Sequence, residues 1–301
     1  MNRLIQTALL LLLLNACGST STSNNSTPTL LFKSGFESGV YLDEAISDGV
    51  DEDTWTQHIR GSDNSKFSWP IELWDTKGEF QVLVSGAVDS KEYIQNRIVD
   101  TIGHDGTPTK AMRSEVFKAD KPWTQDPYIL MDAKEDGDLY VKYWLKMPKN
   151  LAQILGDGTE DDGWCTFFEW KTTGDYRVAA YIYNETDNKP FWYIHGDNVA
   201  NQDNFTYEEF WHKENRTLPV PEDEWFMVEF FWHRSRKDDG RFWWSINGVV
   251  VADYHGANKI SDPIDRIMLF TVYAERYPLY QLVDDIEIWD GFPCGEGKSC
   301  Y

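Results

Sequence analysis

Apolar and polar positions alternate in short runs over most of the chain. The clearest runs are Leu139–Met147 (LYVKYWLKM), Trp164–Lys171 (WCTFFEWK), Tyr176–Tyr183, Phe191–His195, Trp225–His233, Arg241–Val251, Ile267–Glu275 and Tyr280–Trp289. Each is rich in aromatic and β-branched residues and bounded by Gly, Pro, Asp or Asn, which is the period-two signature of strands. Asp238-Asp239-Gly240 and Asn247-Gly248 are hairpin turn signals. Few helical periods are long enough to compete, so the pattern predicts an all-β sandwich. The stretch from Glu44 to Asp100 is less regular and leaves room for a helix or long loops. With no internal repeat and no interior linker, residues 30–293 read as one domain.

The two ends read differently. Met1 to Cys17 has one basic residue (Arg3), an apolar run from Ala8 to Leu14 and then Leu14-Asn15-Ala16-Cys17, the layout of an export signal. It is too short to span a bilayer. Leu-Asn-Ala-Cys resembles a bacterial lipobox, which implies that Cys17 is lipidated and that the mature protein is a lipoprotein of the outer membrane, on the cell surface or the periplasmic face. Residues 18–29 (GSTSTSNNSTPT) form a polar tether with nothing to bury. In an oxidising compartment Cys294 and Cys300 are expected to close a small disulfide within the 294–301 tail. Cys165 has no partner left and, inside an aromatic run, reads as a small buried hydrophobe.

Charge narrows the partners. The 301 residues carry 50 Asp and Glu against 28 Lys and Arg, a formal net charge of −22, which argues against a nucleic-acid backbone. The 14 Trp, 15 Tyr and 16 Phe lean toward a surface that grips sugars, since such rings join an apolar body to a polar tip.

Strand alternation groups the candidate residues. On Trp164–Lys171 it predicts that Cys165, Phe167, Glu169 and Lys171 share one face, and Trp164, Thr166, Phe168 and Trp170 the other. Arg177, Ala179, Tyr181 and Tyr183 form a similar row, as do Thr271, Tyr273 and Glu275. If these rows coincide, one sheet presents Lys, Arg, Glu and several Tyr together; the alternative is a solvated face of cross-strand ion pairs. Arg113 and Glu115 share one side of a short strand, where the guanidinium can clamp a carboxylate or sulfate. His195, His212, His233 and His255 are base candidates or plain hydrogen-bonding residues. No zinc spacing, Gly-x-Ser-x-Gly turn or phosphate loop occurs, and no cofactor is expected for the chemistry. Glu37 and Asp285, in Gly35-Phe36-Glu37-Ser38-Gly39 and Asp284-Asp285, supply hard oxygens for a structural calcium between the first and last strands.

Several segments carry a family likeness. Trp225-Phe226-Met227-Val228-Glu229-Phe230-Phe231-Trp232, Gly240 to Phe242, Ser245-Ile246-Asn247-Gly248 and Leu282-Val283-Asp284-Asp285-Ile286-Glu287-Ile288-Trp289 resemble the concanavalin A-like jelly roll of polysaccharide lyases. With Arg113-Ser114-Glu115 and Phe168-Glu169-Trp170-Lys171, the likeness covers most of the chain after residue 105. It implies a β-jelly-roll sandwich of two antiparallel sheets. Many such lyases carry Gln-x-His where this chain has Glu169-Trp170-Lys171, a departure that turns the likeness toward the jelly-roll ulvan lyases. Their pattern implies Lys171 and Tyr280 as the proton-transfer pair, with Tyr273 as substitute for Tyr280.

The implied reaction is β-elimination on a uronate-containing, sulfated algal polysaccharide. It removes the C5 proton and expels the C4 oxygen, so it needs a base, an acid and a cation for the charge growing on the carboxylate. Arg113, helped by Arg177, is the expected cation, with Glu115, Glu169, Tyr181, Tyr273, Arg276 and His233 as further substrate contacts. Salt screens the bulk negative charge beyond about 8 to 10 Å, so local cations decide binding. The expected partners are an acidic polysaccharide and, through the lipid, a membrane; the expected state is a monomer. Two other readings stay open: a non-catalytic carbohydrate-binding lipoprotein, and a jelly-roll glycoside hydrolase using Glu169 and Glu275.

Overall fold

The structure, a computed structural model, describes residues 27–44, 46–47, 54–71, 81–85, 94–117, 127–130, 138–159, 162–172, 176–198, 208–258, 264–269 and 271–293. Cys17, the 18–29 tether up to residue 26, Cys294 and Cys300 lie outside the described residues. In chain order the first elements are β1 (Leu30–Ser34), β2 (Val40–Leu42), β3 (Ile46–Ser47), β4 (Thr54–Gly61), β5 (Gln81–Ser85), β6 (Ile94–Ile102), β7 (Pro108–Val116), β8 (Pro127–Leu130) and β9 (Leu139–Lys146). A short helix α1 (Leu151–Leu155) precedes β10 (Trp164–Thr172), β11 (Arg177–Tyr183), β12 (Phe191–Asp197) and β13 (Glu209–Asn215). The chain ends with β14 (Trp225–His233), β15 (Arg241–Ile246), β16 (Val249–His255), β17 (Ile264–Met268), β18 (Tyr273–Ala274) and β19 (Leu279–Trp289).

These strands build the expected jelly-roll sandwich of antiparallel sheets. One sheet of eight strands runs β16-β15-β14-β9-β19-β7-β6 with β1 on β19, and one of six runs β13-β12-β11-β10-β17 with β18 on β10. Between β9 and β19 the chain passes from the first sheet to the second, back, across again and back. A smaller sheet, β2-β4-β5-β8 with β3 on β4, draws β3, β4 and β5 from the stretch where a helix or long loops were expected. The sequence pattern also missed β13, whose mostly exposed positions give no apolar alternation at the edge of the six-stranded sheet. Arg241–Val251 is two strands folded at Asn247-Gly248, and Ile267–Glu275 is interrupted between β17 and β18.

The core lies between the two large sheets and is aromatic. Phe168 stacks on Phe230 with ring centroids 3.8 Å apart, and Trp170 on Trp232 at 5.1 Å. Trp170, Trp192, Trp232 and Trp244 are all fully buried, so much of the tryptophan that suggested a sugar-gripping surface fills the interior instead. Truncating one such ring to Ala costs about 3–5 kcal/mol.

One irregularity in β10 corrects the predicted faces. Its pairing with β11 shifts between Thr166 and Phe168, a β-bulge that puts Phe167 and Phe168 both in the core. Cys165, Phe168 and Trp170 therefore point inward. Trp164 and Thr166 join Glu169 and Lys171 on the outward face, where strict alternation separates them.

Candidate active site

The outward face of the six-stranded sheet collects the charged and phenolic residues. Three rows run side by side: Thr166, Glu169 and Lys171 on β10; Tyr181, Ala179 and Arg177 on β11; Tyr193, His195 and Asp197 on β12. Lys171 is the direct cross-strand partner of Arg177, and Arg177 of Asp197. The neighbouring strand β18 sets Tyr273 opposite Thr166.

An ion network fixes these side chains. Arg177 donates from Nε and Nη2 to Asp197 (3.2 and 2.7 Å), and its Nη1 lies 3.5 Å from Glu169. Lys171 Nζ is 3.1 Å from the other oxygen of Glu169. His195 sits between carboxylates, Nε2 at 2.9 Å from Asp197 and Nδ1 at 3.1 Å from Glu209. Glu209 also accepts from Tyr193 Oη at 2.7 Å and meets His212 Nδ1 at 2.6 Å. Glu169, Asp197, His195 and Tyr181 are buried, although they belong to the outward face. Of the two cations, Lys171 is the more accessible, its side chain 24% exposed against 12% for Arg177.

Burial and pairing act against each other here. Burial favours the neutral form of Asp197, but hydrogen bonds from His195 and Arg177 outweigh it and bring the carboxyl down to about 2. For Arg177 burial disfavours the charge, yet Tyr181, Glu169 and Asp197 hold it above its ordinary value. Burial pushes the Tyr181 phenol up in spite of the Arg177 guanidinium, so it keeps its proton. Tyr181 lies 5.1 Å from His195 between ring centroids. Trp164, Tyr181 and Tyr273 form an edge-to-face chain at 6.0 and 5.1 Å, and Tyr183 meets Tyr193 at 5.0 Å. The result is a polar floor with an aromatic margin, a form suited to sugar rings.

Not every predicted residue comes to this face. Arg113, Glu115 and Tyr280 lie on the outward face of the eight-stranded sheet, because β7 pairs with β19 there. Their inward neighbours Met112, Leu279 and Val283 belong to the core. A core roughly 10 Å thick thus separates Arg113 and Tyr280 from Lys171, and the three do not form one catalytic set. Arg113 donates from Nε and Nη2 to the two oxygens of Glu115, both at 2.8 Å, and its guanidinium covers the Tyr280 ring at 3.7 Å. His233 ends β14 on the same far sheet and pairs with Asp138 at 2.7 Å. Arg276 follows β18 and pairs with Asp162 just before β10, at the Trp164 end rather than beside Lys171. Glu169, Arg177, Tyr181 and Tyr273 do share the Lys171 face.

Thr109 Oγ1 lies within hydrogen-bond reach of both Glu37 and Asp284, the neighbour of Asp285. A β-carbon on Gly35 would lie 3.1 Å from Asp285 and 3.5 Å from Asp284. Each carboxylate is engaged by the protein: Glu37 by Thr109 and the Lys110 amide, Asp63 by Ser34 and the Gly35 amide, Asp285 by His104 at 3.0 Å. Burial and then the Asp285 charge push Asp284 up to about 7. The oxygens are of the type calcium takes, but among the described residues no group of three His, Cys, Asp or Glu is arranged to hold a metal ion.

No protein-family model matches the chain, and no characterised protein matches it in sequence. Solved structures similar to it include the alginate lyase Aly36B, at 15% identity and a TM-score of 0.46 over 63% of this chain and 82% of that one. Others are the endo-β-1,4-glucuronan lyase of the fungus Trichoderma reesei (10%, 0.48, 65% and 90%) and the binding domain of botulinum neurotoxin DC (9%, 0.39, 65% and 42%). Likenesses this distant say nothing of the chemistry on either face.

Proposed function

We propose that this protein is a polysaccharide lyase that cleaves a uronate-containing polymer by β-elimination on the outward face of the six-stranded sheet. The observation that carries this reading is the in-register Lys171–Arg177 pair on one face with a protonated, buried Tyr181 and an aromatic margin. Lys171, in its neutral amine form, takes the C5 proton and becomes the ammonium that Glu169 holds; the C4–O bond breaks as the C4–C5 double bond forms; Tyr181 gives its proton to the departing oxygen. Arg177, fixed by Asp197 and Glu169, supplies positive potential to the carboxylate as it becomes enolate-like. His195 has a carboxylate at both nitrogens, so its part is to hold Asp197 and Glu209 in place. We give Tyr181 the acid role expected of Tyr280 or Tyr273: Tyr181 and Tyr273 flank Thr166 from either side, and Tyr181 is the one that shares a strand with Arg177 and lies against His195.

The substrate we propose is a sulfated algal polymer of the ulvan type, reached by a chain exported and anchored through a lipid on Cys17. The test is ultraviolet absorbance of unsaturated uronate while the chain lacking residues 1–17 is incubated with ulvan, glucuronan, alginate and heparin. A rise on ulvan supports the full reading, and a rise on another polymer keeps the lyase and changes the substrate. Tight binding without absorbance would replace it with a binding protein. New reducing ends without absorbance would replace it with a hydrolase.

A further inference from the structure

The far sheet carries a second arrangement that elimination does not use. On β6 and β7, Arg97 and Arg113 are direct cross-strand partners. Like charges so placed destabilise a sheet, and both lean on a single carboxylate, Glu115, at 3.0 and 2.8 Å. Nearby pairs are self-contained: Lys146 with Asp223 at 2.8 Å and Lys110 with Asp100 at 2.6 Å. Two guanidiniums on one carboxylate leave a surplus positive charge. It faces a groove of about 320 Å³ lined by both arginines, Lys146, Tyr280 and the already paired carboxylates Asp100 and Asp223.

The two arginines differ in freedom. Arg113 is clamped from the side by both oxygens of Glu115 and from one face by the Tyr280 ring, so its plane is set before any ligand arrives. Arg97 has Glu115 as its partner among the described residues, and its side chain is 44% exposed. A planar fork that is already oriented, beside a second that can swing, suits an oxyanion with two or three acceptor oxygens. The groove lies at the lower end of the range that holds a small molecule and is larger than a bare ion needs.

We propose that this groove binds one acidic residue of a polysaccharide, through its carboxylate or sulfate, on the side of the sandwich opposite Lys171. A second hold on a long chain raises avidity without new contacts at the first. The proposal does not depend on turnover at the other face.

The test is retention of the whole protein in gels containing ulvan, glucuronan, alginate or heparin, in a Lys171→Ala background, together with calorimetric titration of free glucuronate, a sulfated monosaccharide and inorganic sulfate. Arg97→Gln is expected to weaken retention about tenfold, the loss of one charge-assisted hydrogen bond, and to leave cleavage of short oligosaccharides by the Lys171 protein unchanged. Arg113→Lys, which keeps the charge and loses the fork, should do the same. Because Arg113 supports buried Glu115, the exposed Arg97 variant keeps the test valid if the Arg113 variant misfolds. Unchanged retention of Arg97→Gln would overturn the proposal. So would inorganic sulfate binding as tightly as the acidic sugars, or an Arg97 effect confined to phosphatidylglycerol vesicles.

Discussion

Lys171 and Arg177 face each other across β10 and β11, and the buried carboxylate of Glu169 reaches both. Two cations in that relation repel unless an anion lies between them. Arg177 has a second carboxylate, Asp197, while Lys171 has Glu169 and more contact with solvent. Arg177 is thus the fixed charge of the pair and Lys171 the one able to turn toward a substrate.

Lys171→Ala is expected to remove turnover, by at least about a hundredfold, while leaving polymer binding largely in place. Absorbance at the unsaturated uronate band gives the first quantity and gel retention the second. Parallel loss of both would make Lys171 a binding group and not the base.

For Tyr181→Phe the proton donor is gone and the ring remains. The expected result is a fall of about 10²–10⁴ in kcat with KM little changed. Tyr273→Phe, on the other side of Thr166 and away from Arg177, should alter KM more than kcat; the reverse ranking would move the acid role to Tyr273.

Asp197 ties the site to stability. Its carboxyl is held at about 2, below an unfolded value of about 3.9, so its contribution is present above pH ~4 and is lost as pH falls toward 2. Asp197→Asn should flatten stability between pH 4 and 2. At pH 7 it should cost about 3–5 kcal/mol, because Arg177 loses its two-pronged partner inside the protein. Urea unfolding of both proteins at pH 2, 3, 4 and 7 measures this directly.

The sandwich and its faces were partly legible in the chain. Period two on Phe191–Asp197 already aligns Tyr193, His195 and Asp197, but the expected strand ended at His195, which hid Asp197 and its ion pair to Arg177. Trp164 was assigned to the wrong face because a bulge leaves no mark in the hydrophobic pattern when both extra positions, Phe167 and Phe168, are apolar. Placing Tyr280 with Lys171 failed for a different reason. Local alternation orders residues within a strand but does not say which sheet the strand joins, and β19 completes its hydrogen bonds with β7 and β9. Glu209 could not be foreseen from β13, an edge strand with little to bury.

Asp284 gives the opposite pH dependence to Asp197. Its folded value is about 7, raised from about 3.9, so the native state binds the extra proton. The contribution is complete below pH ~4 and is lost as pH rises through 7. Asp284→Asn should therefore remove a decline in melting temperature between pH 5 and 8. Thermal unfolding of both proteins in steps from pH 5 to pH 8 measures this. An unchanged decline in the Asn variant would mean that the proton is taken up at another group than Asp284.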